Sequence, residues 1–103
     1  TGGYDHNYVL GRPGEKKIIA NAYCRESGIA LEAETDCCGV QFYAGNFIGE
    51  QTGKGGAAYH DRSAFCLESQ FYPNAVNEPD FPSPVVKAGH TYHTETSYRF
   101  YLR

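Results

Sequence analysis

The 103-residue chain contains no methionine and no apolar run near the roughly 18 residues that a membrane-spanning helix requires. No signal-peptide pattern opens it, and it holds no Asn-x-Ser/Thr acceptor. Cysteine is sparse: Cys24, Cys37, Cys38 and Cys66, with the middle two adjacent and no Cys-x-x-Cys. That removes the usual spacing for zinc or a thioredoxin-like dithiol and favours reduced thiols and a cytoplasmic setting over a disulfide framework. Positive charge is also scarce and scattered. The net charge is -3 and Lys16-Lys17 is the only adjacent basic pair, so neither nucleic acid nor an anionic membrane is an expected partner. Glycines cluster between Gly49 and Gly56, but with neither Walker spacing nor a dinucleotide fingerprint; that stretch reads as a flexible loop. Helical periodicity is missing throughout. The first residue is Thr1. An N-terminal threonine can act as a nucleophile with its own amine as base, although a processed chain or a fragment is the commoner meaning of such a start.

What is present is β-structure, and the length suits one domain, residues 1–103, with one modest core. The stretch Ala64 to Pro73 organises the rest. Period-two geometry places Phe65, Leu67, Ser69 and Phe71 on one face and Cys66, Glu68 and Gln70 on the other. The first face suits a core. The second aims a carboxylate and an amide the same way, either as a wet surface or as an acid–base group held on a rigid strand. Lys17 to Tyr23 reads as a strand. In Ile29 to Thr35 the residues Ile29, Leu31, Ala33 and Thr35 turn inward, and Glu32 and Glu34 turn outward. Val40 to Ile48 is a further strand in which Gly45 marks a bulge or a close backbone approach. Asp5-His6-Asn7 forms a turn or a strand end, with an Asx-type cap and a sugar or metal contact as its two readings. Four prolines between Tyr72 and Pro84 exclude regular helix there, and Thr91 to Leu102 alternates as a long strand, with Tyr98, Phe100 and Leu102 on one face and Arg99 and Tyr101 on the other. The expected fold is all-β: five or six strands with Gly/Pro-rich turns, forming an antiparallel β-sandwich, sheet packed on sheet.

Four stretches together resemble the C-terminal part of the aldose 1-epimerase (galactose mutarotase) family. They are Gly3-Tyr4-Asp5-His6-Asn7-Tyr8, Gly39 to Phe47, Phe65-Cys66-Leu67-Glu68-Ser69-Gln70, and Pro73 to Pro82. Gly89-His90-Thr91-Tyr92 and Thr96 to Phe100 fit as well, so the resemblance spans nearly the whole chain. It implies part of a large galactose-mutarotase-like supersandwich, an isomerase that interconverts the α and β anomers of free aldohexoses such as galactose or glucose without a cofactor or metal. By the same resemblance Glu68 falls on the general base, Asp5 on a carboxylate that binds sugar hydroxyls, and Gln41 on a position lining the sugar site. Ser69 stands where the family commonly has Thr, a change of little consequence.

The chemistry asks for a base at the anomeric hydroxyl and an acid at the ring oxygen. A glutamate starts at a pKa of about 4.3, so burial or a neighbouring carboxylate is expected at Glu68. The family's acid is a histidine upstream of the Asp5 motif, and His6, His60, His90 and His93 do not match its position. His6 is expected to support the Asp5 turn. The chain therefore reads as part of a mutarotase, with a monosaccharide as substrate and the N-terminal portion or a second copy as partner. A non-catalytic carbohydrate-binding remnant and a purely structural β-domain are the competing readings.

Overall fold

The computed structural model describes residues 2–103; Thr1, and with it the nucleophile reading, lies outside the described residues. The strands are β1 (Asp5–Val9), β2 (Lys17–Tyr23), β3 (Ile29–Thr35), β4 (Gly39–Tyr43), β5 (Gln51–Thr52), β6 (Ala58–Tyr59), β7 (Cys66–Gln70) and β8 (Thr96–Leu102). Two three-residue 3-10 turns are the only helical pieces among the described residues, and no helix there is long and apolar enough to cross a membrane. Every pairing is antiparallel. One sheet has the order β1-β4-β7, a second has β2-β3-β8, and β5 with β6 closes a small hairpin inside the glycine-rich loop. The all-β antiparallel sandwich expected from the alternation is the architecture found.

Some boundaries differ. Of the two readings of Asp5-His6-Asn7, a strand end is found and a turn is not: Asp5–Val9 is a full strand, because β4 supplies a partner for every residue of it. The C-terminal strand starts at Thr96, not Thr91, since β3 offers partners only from Ile29 to Thr35. β4 stops at Tyr43, short of Ile48, and β7 covers only Cys66–Gln70 of the stretch from Ala64 to Pro73. β2 carries a bulge between Ile18 and Ala20, which shifts its register on β3 by one residue.

The buried centre lies at the corner where β3 runs into β4. Ala33, Thr35, Cys37, Cys38 and Val40 are all buried there, and Ala30 is buried at the far end of β3. Thr35 satisfies its hydroxyl with Thr96 Oγ1 at 2.9 Å and accepts the Cys37 amide at 3.2 Å. Beside it Asp36 Oδ1 accepts the Thr94 hydroxyl at 2.7 Å and the Glu95 amide at 2.9 Å, which ties the approach to β8 onto the corner. These bonds, led by the Glu95 amide, hold the Asp36 carboxyl below the usual carboxylate range. A carboxyl depressed in the folded state contributes stability that is complete above its unfolded value and is lost as pH falls through the folded one. Asp36→Asn keeps the acceptor but not the charge. Its urea midpoint is therefore expected to lie below that of the parent chain at about pH 6 and to converge with it near about pH 2. A gap independent of pH would contradict this assignment.

Away from the corner the layers diverge. Tyr8, Val40, Phe42 and Leu67 of one sheet face Ile19, Ala20 and Ala22 of the other across an apolar cleft of 480 Å³. On β8, alternation sends Phe100 toward Leu31 and Phe65, as the sequence predicts, and sends Arg99 toward Glu32. Yet Phe100 is 68% exposed and Leu102 82%. Ile29, expected to face inward, is likewise exposed. Each such side chain leaves about 1.5–3 kcal/mol of burial energy unrealised. The radius of gyration is 16.3 Å, against about 13 Å for a closed domain of this length. The inner faces have the residues of a core but lack the layer that covers them.

Candidate functional site

The β1-β4-β7 sheet turns its other face to solvent, and there the polar residues collect. Register pairs Asn7 with Gln41 and Gln41 with Glu68, so these three form a row across the strands. The row on one side is Asp5, Tyr43 and Cys66; the row on the other is Val9, Gly39 and Gln70. Alternation points all nine residues to the same face. Neighbouring strands lie about 4.8 Å apart, so Glu68 on β7 and the β1 carboxylate of Asp5 flank Gln41 from opposite sides.

Hydrogen bonds join most of the group. Gln41 Nε2 donates to Asp5 Oδ1 at 2.8 Å. Gln70 Nε2 donates to Asn7 Oδ1 at 3.1 Å and, more weakly, to Gln41 Oε1 at 3.4 Å. Glu68 stands apart: it is exposed, and among the described residues its carboxylate has no hydrogen-bond or ion-pair partner. The burial expected at Glu68 is thus not supplied by this chain. Asp5 sits beyond Gln41 and is bound to it, so it does not provide close carboxylate–carboxylate contact either. Such a face offers one unengaged carboxylate and one anchored carboxylate–amide pair, the groups that bind hydroxyls and accept a proton.

The histidines occupy other places. His6 alternates to the opposite face of β1, sets its ring edge against Tyr4 at 5.8 Å and accepts the Asp5 amide through Nδ1 at 3.0 Å. His60 bonds the Asp61 carbonyl through Nδ1 at 3.0 Å, in the loop before β7. His90 and His93 line a separate open groove with Val86, Lys87 and Tyr92. None of the four supplies a strand position on the polar face. Among the described residues no three His, Cys, Asp or Glu side chains are grouped to hold a metal, and all four cysteines are free, Cys37 and Cys38 buried.

Sequence reading placed Glu68 and Gln70 on one face and singled out Asp5 and Gln41, and the structure brings all four together. It also brings Asn7, for which the sequence leaves an Asx-type cap and a sugar or metal contact open. The apolar cleft was not foreseen. Its signal is the apolar set Ile19, Ala20 and Ala22 on β2, which reads as ordinary core until the facing sheet is seen to stand away from it.

The family model for aldose 1-epimerase matches residues 1–99. The chain belongs to the aldose 1-epimerase family. Galactose mutarotase of Sus scrofa is 46% identical over 99 residues, and that of Homo sapiens is 44% identical over the same length; in each case 95% of this chain is covered. Aldose 1-epimerase of Escherichia coli K12 is 35% identical over 101 residues. This aldose 1-epimerase segment spans 29% of the length of each of these relatives.

Proposed function

We propose that the chain is the base-bearing part of an enzyme that interconverts the α and β anomers of free aldohexoses such as galactose or glucose. The observation that carries the reading is the row Asn7–Gln41–Glu68, with Asp5 bonded to Gln41 beside it. In this reading Asp5 and Gln41 hold the sugar through its hydroxyls, and Glu68 removes the proton from the anomeric hydroxyl. The C1–O5 bond then breaks as the ring oxygen takes a proton from an acid. The open-chain aldehyde rotates about C1–C2, and the steps reverse from the other face, returning both protons. The reaction is redox-neutral and uses no cofactor.

Family membership supports this reading, and so does a base free of protein partners. The chain's 29% share of its relatives' length supports a site completed by other parts of a longer protein. Further strands of the longer protein cover the apolar cleft between the sheets, desolvate Glu68 and supply the acid. A second copy of the chain is the competing occupant of the cleft. Four free thiols suit a reducing, cytoplasmic setting. One observation favours the alternative for the segment by itself, a carbohydrate-binding remnant without turnover: no histidine shares the face of Glu68.

The test is a galactose titration of the ¹⁵N-labelled chain, with an acyclic hexitol as control. Saturable shifts are expected at Asp5, Gln41 and Glu68, and none at His90 and His93. Shifts confined to the His90–His93 groove, or identical responses to galactose and the hexitol, would remove the reading.

A further inference from the structure

Gln70 is a residue of the polar face to which the proposed reaction gives no task, yet it is bonded to two others of that face, Asn7 and Gln41. Its Nε2 lies 3.1 Å from Asn7 Oδ1 and 3.4 Å from Gln41 Oε1, while Gln41 Nε2 lies 2.8 Å from Asp5 Oδ1. We infer that Gln70 is a positioning residue that fixes which way round the Gln41 amide sits, and thereby which groups Gln41 and Asp5 offer to a sugar. The inference deepens the proposed function and rests on it for the identity of the ligand.

The groups differ in what they can donate and accept. An ionised carboxylate only accepts hydrogen bonds, whereas an amide has an accepting end and a donating end of nearly the same shape. Asp5 therefore takes the Gln41 N–H and not its carbonyl. That turns Gln41 Oε1 toward Gln70, where a donor is required. The Gln70 amide nitrogen carries two hydrogens, one for Gln41 Oε1 and one for Asn7 Oδ1. Direction thus runs through the whole group, set by a carboxylate at one end and an NH₂ at the other. A flipped Gln41 would place oxygen against oxygen at Asp5 and nitrogen against nitrogen at Gln70, leaving each without its partner.

Backbone packing makes the reach possible. Gly39 lies in register between Val9 and Gln70, on the same face. A Cβ on Gly39 would come within 2.9 Å of Asn7 Oδ1. With no side chain in that row of β4, Gln70 extends across the strand to Asn7, 63 residues away in sequence. The result for a ligand is specific. Gln41 keeps its second N–H available as a donor, and Asp5 keeps Oδ2 available as an acceptor, side by side. A sugar hydroxyl, which donates and accepts at once, matches that pair.

The experiment compares the parent chain with Gln70→Glu and Gln70→Met. Glutamate puts an acceptor where Gln41 and Asn7 each present an oxygen; methionine has the same length and removes the donor without adding an acceptor. In the absence of sugar, the Gln41 Nε2 hydrogen held by Asp5 in the parent chain is expected to resonate downfield of that in a solvent-exposed glutamine and to exchange slowly with water. That signature should vanish in Gln70→Glu and weaken in Gln70→Met, while backbone amides of the β2-β3-β8 sheet stay in place as evidence of an intact fold. With galactose as the probe, the Kd is expected to rise about tenfold for the glutamate variant and about threefold for the methionine variant. Unchanged Gln41 resonances in Gln70→Glu overturn the inference. So do altered resonances with a Kd within about twofold of the parent, since the bond would then be structural only. If Gln70→Glu does not fold, the methionine variant decides by the same two readouts. Should the parent chain give no galactose response, the proposed function fails, and the Gln41 resonances alone decide whether Gln70 orients the amide.

Discussion

Glu68→Gln is expected to lower catalysed anomer exchange of galactose by about 10²–10⁴-fold, the usual worth of one acid–base group. Glutamine keeps the size and one oxygen of the side chain but cannot take up the anomeric proton. Binding should survive, because Asp5 and Gln41 hold each other at 2.8 Å without help from Glu68. The expected pattern is therefore a collapse in kcat with the galactose Kd moving by less than about threefold, the mark of a group used in the transition state and not in the ground state. Saturation-transfer NMR between the anomeric protons reads the rate directly, with the buffer rate as baseline. Equal rates above that baseline in both proteins would take the base role away from Glu68. Rates at the baseline in both, with galactose still bound, would identify the segment as the binding remnant and locate the missing acid and desolvation in the rest of the family's chain.

Gly45→Ala should produce the largest change in stability. Gly45 follows β4 with φ at +70°, a conformation that costs an alanine about 1 kcal/mol. A Cβ there would also overlap the carbonyl oxygen of Ala64 and lie 2.9 Å from Ile48 Cδ1. The Ala64 contact is with backbone and cannot rotate away. The same turn carries the Gly45 carbonyl that accepts the Arg62 amide at 2.9 Å, so any shift breaks a tie between the loop after β4 and the loop before β7. A loss of about 3 kcal/mol is expected, or about 15 °C in Tm. Gly49→Ala is the matched control. Its φ is +69°, almost the same, but nothing lies within 4 Å of the added carbon, so it should cost only the conformational part. Thermal melts of the two variants separate the terms. Equal destabilisation would show that the approach to Ala64 is not constraining.

Much of this could be read along the chain because it is local. Alternation in Ile29–Thr35 and Thr96–Leu102 assigned the faces on which Glu32 and Arg99 meet and toward which Phe100 turns. A glycine inside an apolar run announced the close approach at Gly45. The polar β1 strand was harder. Asp5, His6 and Asn7 resemble a turn because strand propensity presumes a half-buried surface, and here one face of the strand is the site itself. The β5-β6 hairpin was invisible for a similar reason: two-residue strands among glycines carry no period. Exposure also escaped. Periodicity says which way Phe100 and Leu102 point, but not whether anything covers them.

The sequence by itself determined the all-β class, the turns and the family, and it marked Asp5, Gln41 and Glu68 as the residues of interest. These follow from propensity, two-residue periodicity and motif, all short-range properties of the chain. Only the tertiary structure decided that the three share one face, that Gln70 and Asn7 join them, and that the two sheets open on an uncovered apolar cleft. The physical reason is register. Asp5 and Gln41 are 36 residues apart, and Asn7 and Gln70 63 apart. A slip of one residue in either pairing would send half the group through the sheet to the opposite face, and no local preference within β1, β4 or β7 forbids that slip. The apolar face of Tyr8, Val40, Phe42 and Leu67, which turns toward the other sheet and buries Val40, forbids it by holding the polar residues to the opposite side.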